Sequence, residues 1–497
     1  MTECPCPVDI GTRLELLVDD YLVERLGGEV EFRLHRPTPR EVVFPNQPEP
    51  IIHEEGHGLR AGHAYMTVLQ DGDIYRMYYA VSRSPQGLKG PRPRLYHYAE
   101  SRDGVHWETP SLGLFEYEGS TDNNIFWCEF RADGFDAHSF SPFIDTHPDT
   151  PAEHRYKAVA YTRSGDDKGL VAMSSADGIR WSRYSAGFVI TDGAFDTQNL
   201  AFWDGARGVY RAYWRDFYPG PDGQRYRGIK TASSENFLDW STGQWLYLPG
   251  TEPEQLYTNQ VIPYVRAPHV LVGLPTRYVA RPDSPAIEAL PEPERRRAVM
   301  EKTGMARIGT DLTDTLFMSS RDGVEFRLWG EAFVRPGLRP RDNWFYGDNY
   351  AGWGIVTTAA SIPGAPDEMS FYLSEGNRRE HDSKVYRRYT LRQDGFVSVC
   401  ASRRGGELLT RPLVFGGEQL LLNFSASAAG GLRVELQDER GVAIPGYSLA
   451  ECVDVLGDDL ERPVQWNGGA APGALAGKPV KVRVSMVDAD LFAFRFR

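Results

Sequence analysis

Cysteine is scarce: five residues in a chain of 497, an odd number at scattered positions, which excludes a fold built on a disulfide framework. Cys4-x-Cys6 has no second half, so it does not make a zinc knuckle. No apolar run approaches the roughly 18 residues that span a membrane. The segment Met1-Thr2-Glu3-Cys4-Pro5-Cys6 lacks the basic start and apolar stretch of a secretion signal, so a cytoplasmic location is expected. Positive charge is in deficit. Against 68 Asp and Glu stand 55 Lys and Arg, and a net charge of −13 is unsuited to nucleic acid or an anionic membrane. Also missing are a Gly-x-Ser-x-Gly elbow, a glycine-rich phosphate loop, a His-Glu-x-x-His helix and a paired Cys-x-x-Cys. Their absence removes the simplest routes to serine-hydrolase, nucleotide or transition-metal chemistry.

What the chain does have is turn residues and aromatics, 50 Gly and 34 Pro with 12% Phe, Trp and Tyr, a composition of many short strands. It also has a repeat. Ser101-Arg102-Asp103-Gly104-Val105-His106-Trp107 recurs as Ser175-Ala176-Asp177-Gly178-Ile179-Arg180-Trp181 and Ser320-Arg321-Asp322-Gly323-Val324-Glu325-Phe326. A degenerate copy is Ser234-Glu235-Asn236-Phe237-Leu238-Asp239-Trp240, and a truncated one is Gln393-Asp394-Gly395-Phe396. Asp-Gly makes a tight turn, and the following aromatic folds back as an apolar plug. Each copy follows an extended apolar run, so each is expected to be a hairpin turn. Five copies imply five like units. The expected fold is all-β, a five-bladed β-propeller over residues 1–396 followed by a β-sandwich over 397–497. Leu408–Phe415, Gln419–Ser425, Gly431–Gln437, Val480–Val484 and Leu491–Arg497 are its expected strands. Residues 280–304, Pro-bounded and charged, form an insertion that reads as a surface loop or short helix, with a lid or interface arm as the alternative.

The repeat count also locates a site. In a propeller the innermost strand of each blade lines the channel, so matched positions converge. Counting back about 40 residues from the cassette Asp gives His63, Asp136 and Asp196. Corrected for the insertion, the same count gives Asn259, and a slightly longer offset gives Asp348. Nearby stand Arg60, Glu55, His138, Gln198, Tyr257, Tyr346 and Trp353. Polar groups that read hydroxyls, set among aromatic faces that stack on sugar rings, suit a carbohydrate.

A five-bladed propeller with Ser-x-Asp-Gly-x-x-Trp turns and a following sandwich resembles glycoside hydrolase families 32 and 43. The segments Leu16–Glu24, Phe195–Asn199, Ala267–His269 and Phe317–Gly323 are similar to uncharacterised bacterial members of that group. The resemblance implies cleavage of a terminal, furanosidic sugar by carboxylates in the channel. By blade order it implies Asp196 as the acid and Asp136 as transition-state support. His63 stands where the relatives carry Asp, which leaves Asp348 or Glu55 as base or nucleophile. Glycosidic cleavage needs one carboxyl kept neutral and one ionised, and crowded carboxylates supply that. Two other classes fit the same residues: a sugar-binding propeller without catalysis, and a metal-assisted lyase or lactonase using His57, His63 and His138 with Asp136 or Asp196. No catalytic cofactor is expected. A structural calcium ion on channel oxygens is compatible with these residues, and a homo-oligomer is left open.

Overall fold

Asp-Gly turns and alternating strands set up the same hairpin several times in the computed structural model. It describes residues 6–44, 52–53, 57–58, 65–82, 94–117, 119–128, 138–221, 223–338, 343–376 and 385–497. Nearly all regular structure is β, and no helix is long and apolar enough to cross a membrane. Two compact units divide the chain. Pro37–Tyr264 with Leu271–Thr390 forms one, and the segment through Arg36 joins Val265–Val270 and Leu391–Arg497 in the other.

The larger unit holds five antiparallel sheets of four or five strands in chain order, besides the small pair Ile52–His53 with His57–Gly58. The first is built on Met66–Asp71, Ile74–Ser82, Arg94–Ser101 and Trp107–Glu108, with Ile125–Cys128 added. The second runs His138–Ile144, Tyr156–Ser164, Asp167–Ser175 and Ser182–Arg183. The third runs Leu200–Asp204, Val209–Pro219, Arg225–Ser234 and Gln244–Trp245. In the fourth, Leu312–Ser320 is the hub, pairing with Ala267–Gly273, Thr276–Val279 and Arg327–Val334, while Ile262–Tyr264 forms the edge. The fifth contains Tyr350–Ala351, Val356–Thr358, Glu368–Glu375 and Val385–Arg392, and Thr38–Phe44 completes it from far upstream.

Four cassettes form one hydrogen-bonded turn. In the second copy Ser175 Oγ accepts from the N–H of Gly178 at 2.9 Å, and Asp177 Oδ1 accepts from Ile179 and Arg180 at 2.8 and 2.7 Å. Ser101, Ser234 and Ser320 head the same pattern, with Asn236 Oδ1 replacing the carboxylate in the third. The plug aromatics Trp107, Trp181 and Phe326 are buried. Each turn also meets the sheet before it in sequence, and the first meets the fifth. Tyr372 Oη donates to Gly104 O (2.7 Å), Arg76 to Asp177 O (3.0 Å) and Tyr213 Oη to Gly323 O (2.8 Å). Gly178, at φ +76°, has no room for a side chain, because a Cβ there would sit 2.7 Å from Tyr78 Oη.

The truncated fifth copy departs from this expectation. Gln393-Asp394-Gly395-Phe396 is no hairpin, since Val385–Arg392 belongs to the fifth sheet while Val397–Thr410 belongs to a sheet of the other unit. Asp394 is taken by Arg266 at 3.0 Å and by Asn423 Nδ2 at 2.9 Å, so it does not cap a turn as Asp177 does.

The smaller unit is built on a six-stranded sheet, beside which Val8–Gly11 pairs in parallel with Leu413–Phe415. The strands of the sheet are Val23–Leu34, Val397–Thr410, Lys481–Phe496, Leu420–Gln437 and Asp458–Pro463, with Glu15–Leu16 added. The segment through Arg36, expected with the repeat, groups here because Val23–Leu34 pairs along Val397–Thr410. Expected strand breaks are also absent. Gln419–Ser425 and Gly431–Gln437 lie on the single strand Leu420–Gln437, and Val480–Val484 and Leu491–Arg497 fall along Lys481–Phe496. The glycine-rich stretch before Gly431 is a bulge instead of a reversal. It belongs to a crease across the sheet, where Gly28 faces Gly406, Gly406 faces Met486, and Gly431 faces Val487. Backbones approach too closely there for a side chain: a Cβ on Gly28 would meet Gly406 Cα at 2.8 Å. Leu408, Leu422, Phe424, Val434, Val484 and Trp466 pack as this unit's core.

The insertion is helical, with Pro285–Glu288, Pro293–Thr303 and Arg307–Thr310 as its helices. Pro293 opens the longest in the first-turn position, where its missing N–H costs nothing, and Gly304 in the left-handed region ends it. It is docked, not solvated. Arg296 is 1% exposed, donates to the carbonyls of Pro291, Gly309 and Trp344, and lies 3.8 Å from the Phe345 ring centroid.

Candidate functional site

The segment Phe195-Asp196-Thr197-Gln198-Asn199 enters the third sheet, and its polar side chains are almost all spent on structure. Thr197 Oγ1 donates to Tyr257 O at 2.8 Å, and Asn199 Nδ2 donates to Phe195 O at 2.9 Å. Gln198 Nε2 donates to Met66 O and Thr67 Oγ1, both at 3.1 Å. Gln260 Nε2 closes the net, donating to Gln198 Oε1 at 2.8 Å and Ala351 O at 2.7 Å. Entry segments of the third and fourth sheets thus tie to strands of the first and fifth. Trp353 joins the fifth sheet to the first, its N–H donating to Met66 O at 2.8 Å while its carbonyl accepts from Val68 at 2.7 Å. Within this net Thr197, Gln198 and Asn199 are fully buried, yet Asp196 is exposed.

Around Asp196 lies a cluster of phenols and guanidinia. Arg215 Nη2 donates to the Asp196 carbonyl at 2.7 Å, and its guanidinium stands 4.6 Å from the Tyr257 ring centroid. Tyr346 Oη donates to Tyr257 Oη at 3.0 Å, and Tyr350 packs edge-on to Tyr257 at 5.5 Å. Arg227 lies 3.9 Å from the Tyr278 ring centroid and donates to Gln255 at 2.8 Å. Arg307, from the insertion, lies 5.3 Å from the Tyr346 ring centroid. Burial and then Tyr257 push the Tyr65 phenol well above the ordinary tyrosine value. Tyr257 moves the other way. Burial favours its neutral form, but the Arg215 guanidinium and the Tyr346 hydrogen bond outweigh it and lower its pKa. Tyr257 is therefore the phenol of this group that most readily carries charge.

The counted positions fare differently. Asp348 is fully buried, with Oδ2 accepting from the Phe345 N–H at 3.0 Å and its carbonyl accepting from Thr313 at 2.7 Å. Asn259 is buried too, its Oδ1 accepting from Val261 at 3.3 Å and its Nδ2 without a partner among the described residues. Trp353 is core, donating to Val261 O at 2.9 Å. Tyr257 and Tyr346 stand in the cluster beside Asp196. Glu55, Arg60, His63 and Asp136 lie outside the described residues, and His138 begins the first strand of the second sheet. Left-handed residues Ser139, Gln260 and Asn349 mark the entries of the second, fourth and fifth sheets. By that marker His138 is the position matching Asn259 and Asp348, two residues beyond the counted Asp136.

Arg215, Arg227, Arg307, Tyr65 and Tyr278 were not singled out from the sequence. The signal was there: Arg211, Tyr213, Arg215 and Phe217 alternate along Val209–Pro219, and Arg225 and Arg227 along its partner strand. Among the described residues no group of three or more His, Cys, Asp or Glu is placed to hold a metal ion. A separate groove of about 590 Å³ is lined by Tyr218, Trp245, Leu246, Leu248, Glu252 and Leu256, and neither Asp196 nor Arg215 lines it.

No protein-family model matches the chain, and no match is found among curated proteins. Among solved structures it is similar to an N-acetylgalactosamine deacetylase from F. plautii in complex with blood group B trisaccharide. That likeness has a TM-score of 0.46 at 13% identity, over 71% of this chain and 94% of the other. It is also similar to a β-1,2-mannobiose phosphorylase from Listeria innocua, with a TM-score of 0.45 at 12% identity over 72% and 97% of the two chains. A third likeness is to a family 117 glycoside hydrolase produced by the marine bacterium Zobellia galactanivorans, with a TM-score of 0.38 at 10% identity over 73% and 90%.

Proposed function

We propose that the five sheets are blades of a β-propeller, that the creased sheet is its accessory sandwich domain, and that Asp196 cleaves a glycosidic bond at the channel mouth. The observation that carries this is the exposure of Asp196 on an otherwise buried, hydrogen-bonded segment. A carboxylate so held costs little further ordering when it reacts, which is what positioned acid–base groups need. Bonds from Trp353 of the fifth sheet to Met66 and Val68 of the first support a closed ring.

In this reading Asp196 is the general acid. A bound sugar would cover it and exclude water from around it. Tyr65, Tyr257 and Tyr346 offer faces and hydroxyls to a terminal, furanosidic ring. Asp348, committed to the Phe345 N–H, serves the scaffold. Asp136 keeps the role of transition-state support, and Glu55 that of base or nucleophile.

Asp196→Asn should cut turnover of aryl furanosides at least about a hundredfold while changing binding little. An undiminished rate would overturn the assignment. Should the native chain bind furanosides, fructans or pentosans and turn over none of them, the site is one of recognition without catalysis.

A further inference from the structure

Cations in this acidic chain usually meet a carboxylate. Arg76 pairs with Asp71 at 2.9 Å, Lys157 with Asp145 at 2.5 Å, Arg277 with Asp314 at 2.6 Å and Arg388 with Glu41 at 2.8 Å. For Arg296, backbone carbonyls take the donors. Arg215 has neither arrangement. It is 4% exposed, its Nη2 donates to the Asp196 carbonyl, and its Nε and Nη1 are buried without a partner among the described residues. Arg227 Nε is in the same state. Arg225, 4.2 Å from the Phe217 ring centroid, and Arg307 extend the row toward solvent, and none of the four forms an ion pair among the described residues.

Aromatic contacts compensate only partly. A guanidinium over a ring gains about 0.5–2 kcal/mol, whereas burying an ion costs several. An oxyanion would supply what is missing, accepting two parallel N–H bonds from a planar fork. We propose that the ligand of this site carries an oxyanion, and that Arg215 and Arg227 bind it beside Asp196. Resting on the glycoside reading above, its first source is an anionic substituent of the sugar, such as a uronate carboxylate. A free phosphate or sulfate has the same chemistry and is the second source.

Calorimetry with the full chain tests this, using galacturonate and glucuronate against galactose and glucose, and inorganic phosphate alone. Either uronate should bind at least about tenfold tighter than its neutral counterpart, the equivalent of one charge-assisted bond. That preference should weaken with salt and vanish in Arg227→Gln, a half-buried position that spares the fold. Arg215→Lys should reduce it, and Arg215→Gln should abolish it with the melting temperature checked in parallel. Phosphate binding that depends on Arg215 and Arg227, with no sugar bound, supports the oxyanion site and removes the uronate as its source, leaving the glycoside reading to the furanoside assay. Neutral sugars binding as tightly as uronates, with no phosphate bound, overturn the inference and leave the glycoside reading standing. If nothing in the panel binds, the oxyanion inference falls, and the glycoside reading is decided by the furanoside assay.

Discussion

His97 lies in the strand Arg94–Ser101, its ring stacked on Tyr79 at 5.5 Å and its Nδ1 2.7 Å from Asn124 Oδ1. Nε2 is buried without a partner among the described residues, so protonating it would place a bare charge in an apolar site. Burial therefore lowers the pKa to about 4, against the opposing Asn124 bond. The unfolded chain takes up a proton near pH 6.5 and the folded one only near 4, so stability is lost as pH falls between these values. The loss is at most about 3.4 kcal/mol, from 2.5 units at 1.36 kcal/mol each. Urea unfolding of native and His97→Gln chains from pH 7 to 4 checks it: the variant should lose less stability over that span, and parallel curves would refute the assignment. At this scale the sequence was partly legible. Asp196 follows from a count along the repeat, because a repeated sheet repeats its entry point, and Tyr257 and Tyr346 stand close in sequence to the counted Asn259 and Asp348. Arg215 and Arg227 do not, because a charged residue in a strand reads as solvent-facing unless its neighbours in space are known.

Among the turns, the third cassette is the informative exception. Tyr75, Tyr156 and Tyr210 pair with the cassette serines Ser101, Ser175 and Ser234, which aligns Tyr78, Val159 and Tyr213 three residues on. Tyr78 Oη fills the space beside Gly178, and Tyr213 Oη donates to Gly323 O, with Arg211 filling the space a Cβ there would need. The second sheet has Val159 at that place, and the cassette facing it carries Phe237 where the others have Gly. Phe237 is fully buried at φ +69°, packs 5.5 Å from Phe143, and shares a core cluster with Val159. One ring fills one space, supplied from either side. Phe237→Gly should cost about 3 kcal/mol or more through the cavity, offset in part by relief of a strained backbone. Val159→Tyr should cost about 1–3 kcal/mol by overpacking. Combined, they should recover at least about 2 kcal/mol relative to the sum, measured by a double-mutant cycle in urea. Strict additivity would show that the two positions do not share the space. From sequence alone this copy reads only as degenerate, since compensation between distant strands has no local signature.

At the scale of the molecule, the repeat was legible because each cassette is local chemistry, while the two ends were not. Val23–Leu34 and Thr38–Phe44 carry no cassette, and their partners are hundreds of residues away, Val397–Thr410 and Val385–Arg392. The creased sheet was misread for a related reason: Gly430-Gly431 in isolation signals a turn, and only the neighbouring kink at Asp488 turns it into a bulge. A chain ending at Ser398 would strand Val23–Leu34 as an unpaired edge. It should aggregate on expression, and removal of residues 1–36 as well should raise the soluble fraction, as read by centrifugation and gel filtration. Equal solubility of the two shortened chains would refute that account.

The pairing of Thr38–Phe44 with Val385–Arg392 also has a meaning in time. Synthesis delivers the outer strand of the fifth sheet before any strand of the first four, and its partner after all of them. The earliest piece of the repeat must therefore stay unmated while the ribosome makes everything it will enclose. Four sheets can form as they emerge, but the last seam waits for a segment made long before. A ribosome that stalls ahead of residue 385 leaves a nascent chain with an open flap, a form that quality control can recognise by its bare edge.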